Sequence, residues 1–232
     1  MKKTTLIGFM LGMIFLTGNL SAQINGRSEK TRLNKVTETY LDLVLNVVGT
    51  NLNYGKSNTD FSNYKKSTLG AQVGASIQAG ITPSVSLVSE LYFIMKGGKL
   101  ASNNPWTLSK TTLRFYMIEF PLLARFHFGK FYVNAGPSIA YNFYGTKKTD
   151  EGSTSLSFDN SGNAFKRWDA GIQTGAGYRF KVKQKNVALD VRYTYGLTNI
   201  SNGQEIYNRY LNISLHLSNP WKTNPLGINR KS

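Results

Sequence analysis

The chain has 232 residues, a formal net charge of +16 and no cysteine. This length suffices for a single domain with its own core, and the lack of cysteine excludes disulfides, zinc–thiolate sites, cysteine nucleophiles and a lipid-modified N-terminal cysteine. A basic chain often binds nucleic acid. The N-terminal segment predicts export, however, so no nucleic-acid partner is expected, and anionic lipid headgroups and lipopolysaccharide phosphates are the expected anions.

The first 22 residues, 1–22, have the pattern of a secretory signal peptide. Lys2 and Lys3 precede an apolar run from Leu6 to Leu16, and Ala22 provides a small residue at the expected cleavage point. The run is too short to span a bilayer as a helix, so a cleaved signal peptide is predicted; a retained anchor helix is the alternative. The polar residues 23–40 show no clear period and are predicted to form a mobile periplasmic lead.

From Leu41 onward the sequence alternates apolar and polar residues with period two, which is typical of half-buried β-strands. Eight strands are predicted, at 41–52, 68–81, 85–96, 112–128, 131–144, 167–181, 187–196 and 207–217. Three short connections, 82–84, 129–130 and 183–186, alternate with four long polar ones, 53–66, 97–111, 145–166 and 197–206.

This alternation of short turns and long loops predicts an all-β fold: an eight-stranded antiparallel up-and-down transmembrane β-barrel of the outer membrane. In such barrels the short turns lie in the periplasm and the long loops outside, and an even strand number puts both termini in the periplasm. The barrel is predicted over 41–217, and a polar C-terminal tail over 218–232.

Each strand has one apolar and one polar face, as residues 187–195 illustrate. Val187, Leu189, Val191, Tyr193 and Tyr195 alternate with Ala188, Asp190, Arg192 and Thr194. A soluble lipocalin-like carrier would turn the apolar face inward, and a membrane barrel turns it outward. The polar face is rich in glycine, which suits the narrow interior of an eight-stranded barrel and favours the membrane orientation. It includes Gly70, Gly74, Gly80, Gly136, Gly171, Gly175 and Gly177.

Charged residues occupy mid-strand positions on the polar face, four acids and four bases. We expect them to form a paired network inside the barrel, because an unpaired buried charge is costly. They are Glu90, Lys96, Glu119, Arg125, Asp169, Arg179, Asp190 and Arg192. Since side chains normally fill so small a barrel, a plugged lumen is predicted; a conducting lumen is the alternative.

A second set of basic residues lies near the long loops. A solvated rim is the ordinary interpretation, and contact with anionic lipid or lipopolysaccharide phosphate is the functional one. These residues are Lys99, Lys110, Arg114, Lys147, Lys148, Lys166, Arg167 and Arg209. Aromatic residues near strand ends predict an interfacial belt: Tyr141, Tyr144, Trp168, Tyr178, Tyr193, Tyr195 and Tyr210.

The sequence offers little for catalysis. His127 and His216 are predicted to point inward at the periplasmic end, away from the lipid-facing outer rim where a lipid-modifying enzyme would need them. Gly175-Ala176-Gly177 precedes no helix, so it is not a phosphate-binding loop. No spacing of metal ligands appears. We therefore predict no catalytic residues, no metal and no cofactor.

Four stretches in the middle of the chain carry a resemblance to a known family. They are Ser89–Phe93 (SELYF) with Lys96–Lys99 (KGGK); Ile118–Leu123 (IEFPLL); Lys130–Pro137 (KFYVNAGP); and Trp168-Asp169 with Gly175–Tyr178 and Arg192–Ile200. In order and spacing over 68–201 they resemble the PorT-type outer-membrane β-barrel family. Two features depart from it: Ser89 replaces the usual proline, and no aromatic residue ends the last predicted strand near Leu217.

The resemblance implies an outer-membrane barrel, and some family members serve protein secretion. The expected function is therefore that of a non-enzymatic, monomeric barrel with a structural or accessory role in the cell envelope. The expected partners are outer-membrane lipid and lipopolysaccharide, with envelope or secretion-machinery proteins as further candidates. The alternatives are a PorT-like component of a secretion apparatus and, third, the soluble carrier.

Overall fold

A computed structural model of the chain describes residues 39–182 and 185–220. The predicted signal peptide, nearly all of the predicted lead and residues 221–232 of the predicted tail lie outside the described residues. Among those described, no helix has the length and apolar character needed to cross a membrane.

The described chain consists almost entirely of strands. They are β1 (Tyr40–Tyr54), β2 (Lys65–Lys66), β3 (Thr68–Gly80), β4 (Val85–Leu100), β5 (Thr111–Phe128), β6 (Phe131–Thr149), β7 (Gly152–Ser155), β8 (Trp168–Val182), β9 (Lys185–Gly196) and β10 (Ile206–Pro220), with a 3₁₀ helix over Lys56–Asn63. Eight of them are long and form the barrel wall, whereas β2 and β7 are short pieces within the long loops.

The wall closes on itself through antiparallel pairs. Sequential long strands pair with one another, and β1 pairs with β10 from Tyr40↔Pro220 to Tyr54↔Ile206. This closure removes the two free sheet edges, so the backbone groups of the wall find partners within the sheet. The predicted eight-stranded antiparallel barrel is confirmed. We call the end of the barrel that carries the four long connections the loop end, and the end that carries the three short connections the turn end.

The apolar face of every long strand points away from the barrel axis. Ile139 and Leu189 expose 46% of their surface and Leu122 exposes 40%, although each lies within a paired strand. The polar alternates, such as Asn134 and Asp190, are buried. A soluble carrier would show the opposite arrangement, so the lipocalin-like alternative is wrong.

Several strands extend beyond their predicted bounds into segments predicted as loops. β4 continues to Leu100 and β6 to Thr149, where β7 pairs with it, and β10 continues to Pro220, three residues into the predicted tail. Polar residues at a strand end lack the alternation on which the sequence prediction relied, yet they still pair with a neighbouring strand. The wall therefore rises higher at the loop end than the sequence indicates.

One irregularity shifts the predicted alternation of faces. Tyr116 pairs with Tyr144, but the next residue, Met117, pairs with Asn142, so Phe143 is an extra residue in β6. As a result Phe143 and Tyr144 both point outward. Such a bulge reverses the inward and outward sets beyond it.

Candidate functional site: the barrel interior and the loop-end rim

The centre of the turn-end half of the interior is the guanidinium of Arg192, which is fully buried. Its Nη1 lies 2.5 Å and its Nη2 3.0 Å from the two carboxylate oxygens of Glu90, and its Nε donates to Asp190 at 2.7 Å. One arginine on β9 thus neutralises acids from β4 and β9. The two parallel bonds to Glu90 are the strongest geometry for such a pair.

A chain of polar contacts continues from Asp190 toward the turns. The Nη2 of Arg125 lies 3.8 Å from Asp190, while its Nε donates to Asn134 at 2.7 Å and its Nη1 to Gln78 at 2.8 Å. Gln78 also accepts a bond from Arg179 at 3.2 Å. Arg179 is half-buried and lies 2.7 Å from the Nδ1 of His127, at the turn end of the interior.

A separate charge pair lies in the loop-end half. The ammonium of Lys96 is 3.1 Å from Asp169, which also accepts hydrogen bonds from Asn208 at 2.7 Å and Thr198 at 3.1 Å. Lys96 further lies over the ring of Tyr210, 4.7 Å from its centre. Seven of the eight predicted interior charges therefore fall into two clusters.

Glu119 stands apart, because its described hydrogen bonds come from neutral groups. Its Oε1 accepts from the Tyr210 hydroxyl at 2.5 Å and from Gln173 at 2.8 Å. Tyr210 is 1% exposed, so its assignment to the interfacial belt is wrong. The physical reason is strand parity: Tyr210 shares a face with Asn212, and its hydroxyl binds a carboxylate that lipid could not solvate.

The interior also holds a pair that the sequence analysis omitted. Asp42 and His216 are buried on the neighbouring strands β1 and β10, with Oδ2 and Nδ1 3.2 Å apart. Only mid-strand charges were counted in the predicted network, so Asp42, near the start of β1, was missed. Neutral polar residues such as Gln78 and Asn134 were not part of the predicted network, although strand parity places both on the inward face. Both histidines point inward, as predicted.

Glycines make room for the largest interior side chains. A Cβ atom at Gly175 would lie 2.6 Å from the Cγ of Arg192, and one at Gly177 would overlap the ring of Tyr132. Tyr132 in turn stacks on the guanidinium of Arg125, 4.1 Å from the ring centre. The glycines of the polar face thus accommodate the charge network.

Above the polar clusters, the long loops fold together into an apolar cap. Phe61 stacks on Tyr54 at 4.8 Å between ring centres, and Trp106 packs edge-on against Phe61 at 5.1 Å. The cap joins side chains of all four loops to inward residues of the wall: Val48, Leu52, Tyr54, Phe61, Ile94, Leu100, Leu113, Phe115, Met117, Ala140, Phe165, Ile200, Ile206 and Tyr210. The sequence predicted these loops only as long, polar connections.

A groove of about 520 Å³ opens beside this cap at the loop end. Trp106, Leu156 and Phe165 supply apolar surface, while Gln204 and serine and threonine residues of the third and fourth loops supply polar groups. Lys147 lies over the Trp106 ring, 5.7 Å from its centre. The cap therefore presents a shaped and chemically mixed surface.

Arg114, predicted as a lipid-binding rim residue, has a structural contact in addition. Pairing along this edge of β4 is interrupted between Met95, which pairs with Ala71 of β3, and Lys99, which pairs with Lys66 of β2. Opposite this gap, Arg114 reaches past its β4 partner to donate to the Leu69 carbonyl and to the Thr68 hydroxyl. Its guanidinium thus supplies hydrogen bonds where the backbone pairing fails.

The other predicted rim cations differ in their contacts. Arg167 donates to the Asn142 carbonyl at 3.2 Å, and Arg209 lies flat on the ring of Tyr195 with 3.4 Å between guanidinium carbon and ring centre. Lys99, Lys110, Lys148 and Lys166 are exposed.

In the third loop the Ser161 hydroxyl and amide lower the pKa of Asp159 by hydrogen bonding.

Six of the seven predicted belt aromatics point outward from the wall. Tyr141 packs edge-on against Trp168 at 5.0 Å near the loop end, and Tyr178 packs against Phe131 at 4.7 Å near the turn end. Amphipathic rings at both ends of an apolar band are typical of strands that cross a bilayer.

The family model of the outer membrane protein beta-barrel domain matches residues 44–202. The chain belongs to this family. The match covers most of the wall, from β1 to the fourth loop, and the outward apolar face agrees with it. The predicted location in the outer membrane is confirmed for this member of the outer membrane protein beta-barrel domain family.

Solved structures of bacterial surface proteins resemble this family member at low identity. Ail, the attachment invasion locus protein of Yersinia pestis, solved in complex with the heparin analogue sucrose octasulfate, is 11% identical, with a TM-score of 0.42 and coverage of 79% of this chain and 100% of that chain. Neisserial surface protein A is 10% identical, with a TM-score of 0.46 and coverage of 76% of this chain and 96% of that chain. OprG from Pseudomonas aeruginosa is 11% identical, with a TM-score of 0.39 and coverage of 80% of this chain and 95% of that chain. A comparison with curated proteins gives no match.

The described residues of this family member contain no group of three or more His, Cys, Asp or Glu side chains suited to a metal ion. His127 contacts the Ser86 hydroxyl at 2.8 Å, but Arg179 occupies the other side of the ring. His216 is buried against Asp42. These contacts involve both histidines in interior packing.

Proposed function

We propose that this protein is a non-enzymatic, monomeric barrel with a plugged lumen, which holds a folded loop cap at the cell surface in a structural or accessory role. One observation carries the proposal: the interior is occupied twice, by ion pairs and by the apolar cap. Substrate transport would require a continuous polar path, and catalysis would require reactive groups open to a substrate. We expect neither, and no cofactor.

The ion pairs support the plug because they connect strands across the interior. Arg192 and Glu90 lie on strands that are not neighbours in the wall, as do Lys96 and Asp169. The cavity beside Lys96 and Glu119 measures about 10 Å³, at the lower limit for a single water. Charges that are paired across the interior, with so little room for water beside them, rigidify a barrel rather than guide ions through it.

Planar-bilayer recording tests the plug. We expect the purified full-length protein to give no large, stable, ohmic conductance steps, because side chains fill the lumen at two levels. The same detergent without protein serves as the blank, and insertion is verified by recovering the protein from the bilayer lipid. Large, stable steps from the wild-type protein would show an open channel, and the proposal of a plugged lumen would then be abandoned.

A PorT-like role in a secretion apparatus is the second candidate. The resemblance over 68–201 supports it, but four acidic and basic residues of those motifs, Glu90, Glu119, Asp169 and Arg192, are buried in the interior. The shared motifs therefore account for the barrel itself. Recognition of a secretion partner would depend on surface features, and the groove beside Trp106 is one of them.

Affinity purification from detergent-solubilised outer membrane separates the two candidates. On the main proposal the tagged protein elutes as a monomer with lipid and with no stoichiometric secretion protein. Trp106→Ala, in the groove, and Leu108→Ala, in the same loop but outside the groove, form a matched pair. A secretion-machinery partner that the wild type and Leu108→Ala retain and Trp106→Ala loses would establish the second candidate instead.

A further inference from the structure

The outer wall at the loop end contains a notch of about 330 Å³ whose chemistry differs from the apolar surface below it. We define the notch by six residues: Gly49, Asn51 and Asn53 of β1, Lys65 of β2, Ser67 between β2 and β3, and Arg209 of β10. Tyr193 and Leu211 form its lower edge. Two cations, two amides and a hydroxyl thus line the same notch, and none of the described lining residues is acidic.

The register places the notch at the boundary between apolar wall and polar loops. Gly49 pairs with Leu211, and Leu211 with Tyr193, while the level above pairs Asn51 with Arg209 and Arg209 with Tyr195. Leu211 and Tyr193 are outward and 43% exposed, as expected for the apolar band and its aromatic girdle. The cationic level directly above an aromatic girdle lies at the depth of lipid headgroups.

The guanidinium of Arg209 is held in place by neighbouring groups in a position to bind an anion. Its guanidinium lies flat on the Tyr195 ring, and its Nη1 donates to the carbonyls of Gly196 at 2.6 Å and Asn208 at 2.9 Å. Within the described residues both hydrogen bonds come from Nη1, so donors on Nε and Nη2 are left for a ligand. A guanidinium that is already stacked and hydrogen-bonded loses little further conformational entropy on binding. The geometry of its paired N–H donors matches the oxygens of a phosphate.

The side chain of Asn51 indicates that a ligand of the notch carries a hydrogen-bond donor in addition to a phosphate. Its Oδ1 is buried and, among the described residues, has no hydrogen-bond partner. A phosphate oxygen cannot satisfy this acceptor, but a hydroxyl group can donate to it. The side chain that would fill the space below is missing, because that position is Gly49. The notch therefore suits a ligand that brings a phosphate and a hydroxyl together.

We propose that this notch binds the phosphorylated sugar headgroup of lipopolysaccharide, with Arg209 and Lys65 on the phosphate and Asn51 on a sugar hydroxyl. The proposal narrows the predicted rim of eight cations to Arg209 and adds Lys65, which that set did not contain. It goes beyond the proposed function, because the notch lies on the outer wall and does not depend on whether the lumen conducts.

Native mass spectrometry of the full-length protein in detergent tests the site. The probes are diphosphorylated lipid A, its dephosphorylated form, phosphatidylglycerol and inorganic phosphate. Phosphorylated lipid A should bind the wild type roughly tenfold or more tightly than each other probe, because the others lack the charge-assisted bonds or the sugar hydroxyls. Equal binding of phosphatidylglycerol or inorganic phosphate would overturn the sugar-phosphate assignment.

Two variants test the notch, one by removing a charge and one by filling its volume. Arg209→Gln removes the anchored cation, and Gly49→Leu fills the space while keeping every charge. A Cβ atom at Gly49 would lie 3.8 Å from its nearest neighbour, the Leu211 carbonyl oxygen, so a side chain can start from this position without a clash at Cβ. Each variant should weaken binding of phosphorylated lipid A roughly tenfold.

Lys148→Gln, an exposed rim change, should alter binding by less than about twofold and serves as the control. Heat-dependent gel mobility verifies that each variant is folded. If folded Arg209→Gln and Gly49→Leu both bind as tightly as the wild type, the site does not exist.

Discussion

Replacing Arg192 by methionine is expected to destabilise the barrel by about 3–5 kcal/mol, the range for breaking a buried ion pair from one side. Methionine preserves much of the volume of the side chain but leaves Glu90 and Asp190 buried without their main cation. Arg125, 3.8 Å from Asp190, compensates only one of them. Urea unfolding and refolding in lipid vesicles, followed by tryptophan fluorescence, measures the change in the free energy of unfolding.

Two comparisons isolate the charge from the substitution. Lys148→Met introduces the same residue at an exposed position and should have little effect, because exposed charges contribute weakly. Adding Glu90→Gln to Arg192→Met should recover part of the loss, since one of the two stranded carboxylates disappears. Equal stability of Arg192→Met and Lys148→Met would show that the interior network does not stabilise the barrel.

Arginine at Ile139 is expected to cost about 2–4 kcal/mol, the range for a cation on the lipid face near the middle of a membrane barrel. Ile139 lies near the centre of β6 and points outward, so the new charge would face hydrocarbon. Refolding titrations in vesicles measure the cost. Leu122→Arg and Leu189→Arg repeat the test on β5 and β9.

The control for this series is Leu108→Arg. Leu108 is 79% exposed, but it lies in the second long loop, where water surrounds it. An arginine there should change the stability by less than about 0.5 kcal/mol, as for ordinary surface substitutions. If the three wall positions tolerate arginine as well as Leu108 does, their side chains do not face lipid.

The strand count and the division of each strand into two faces could be predicted from the sequence because both are local properties. Period-two alternation assigns the residues of one strand to two faces, and loop lengths alternate along the chain itself. The interior position of Glu90, Glu119, Asp190 and Arg192 follows from the same parity. So does that of Tyr210, which was misassigned because its aromatic type was given more weight than its place in the alternation.

The partners of those interior residues were decided only by the tertiary structure. Arg192 and Glu90 are 102 residues apart, and their contact depends on how far each strand is displaced against the next when the barrel closes. No local pattern specifies that stagger. The extra residue at Phe143 likewise depends on pairing with β5, and the cap forms because closure brings four distant loops to one opening. The sequence by itself thus determined which side chains face inward; closure of the barrel decided which of them meet.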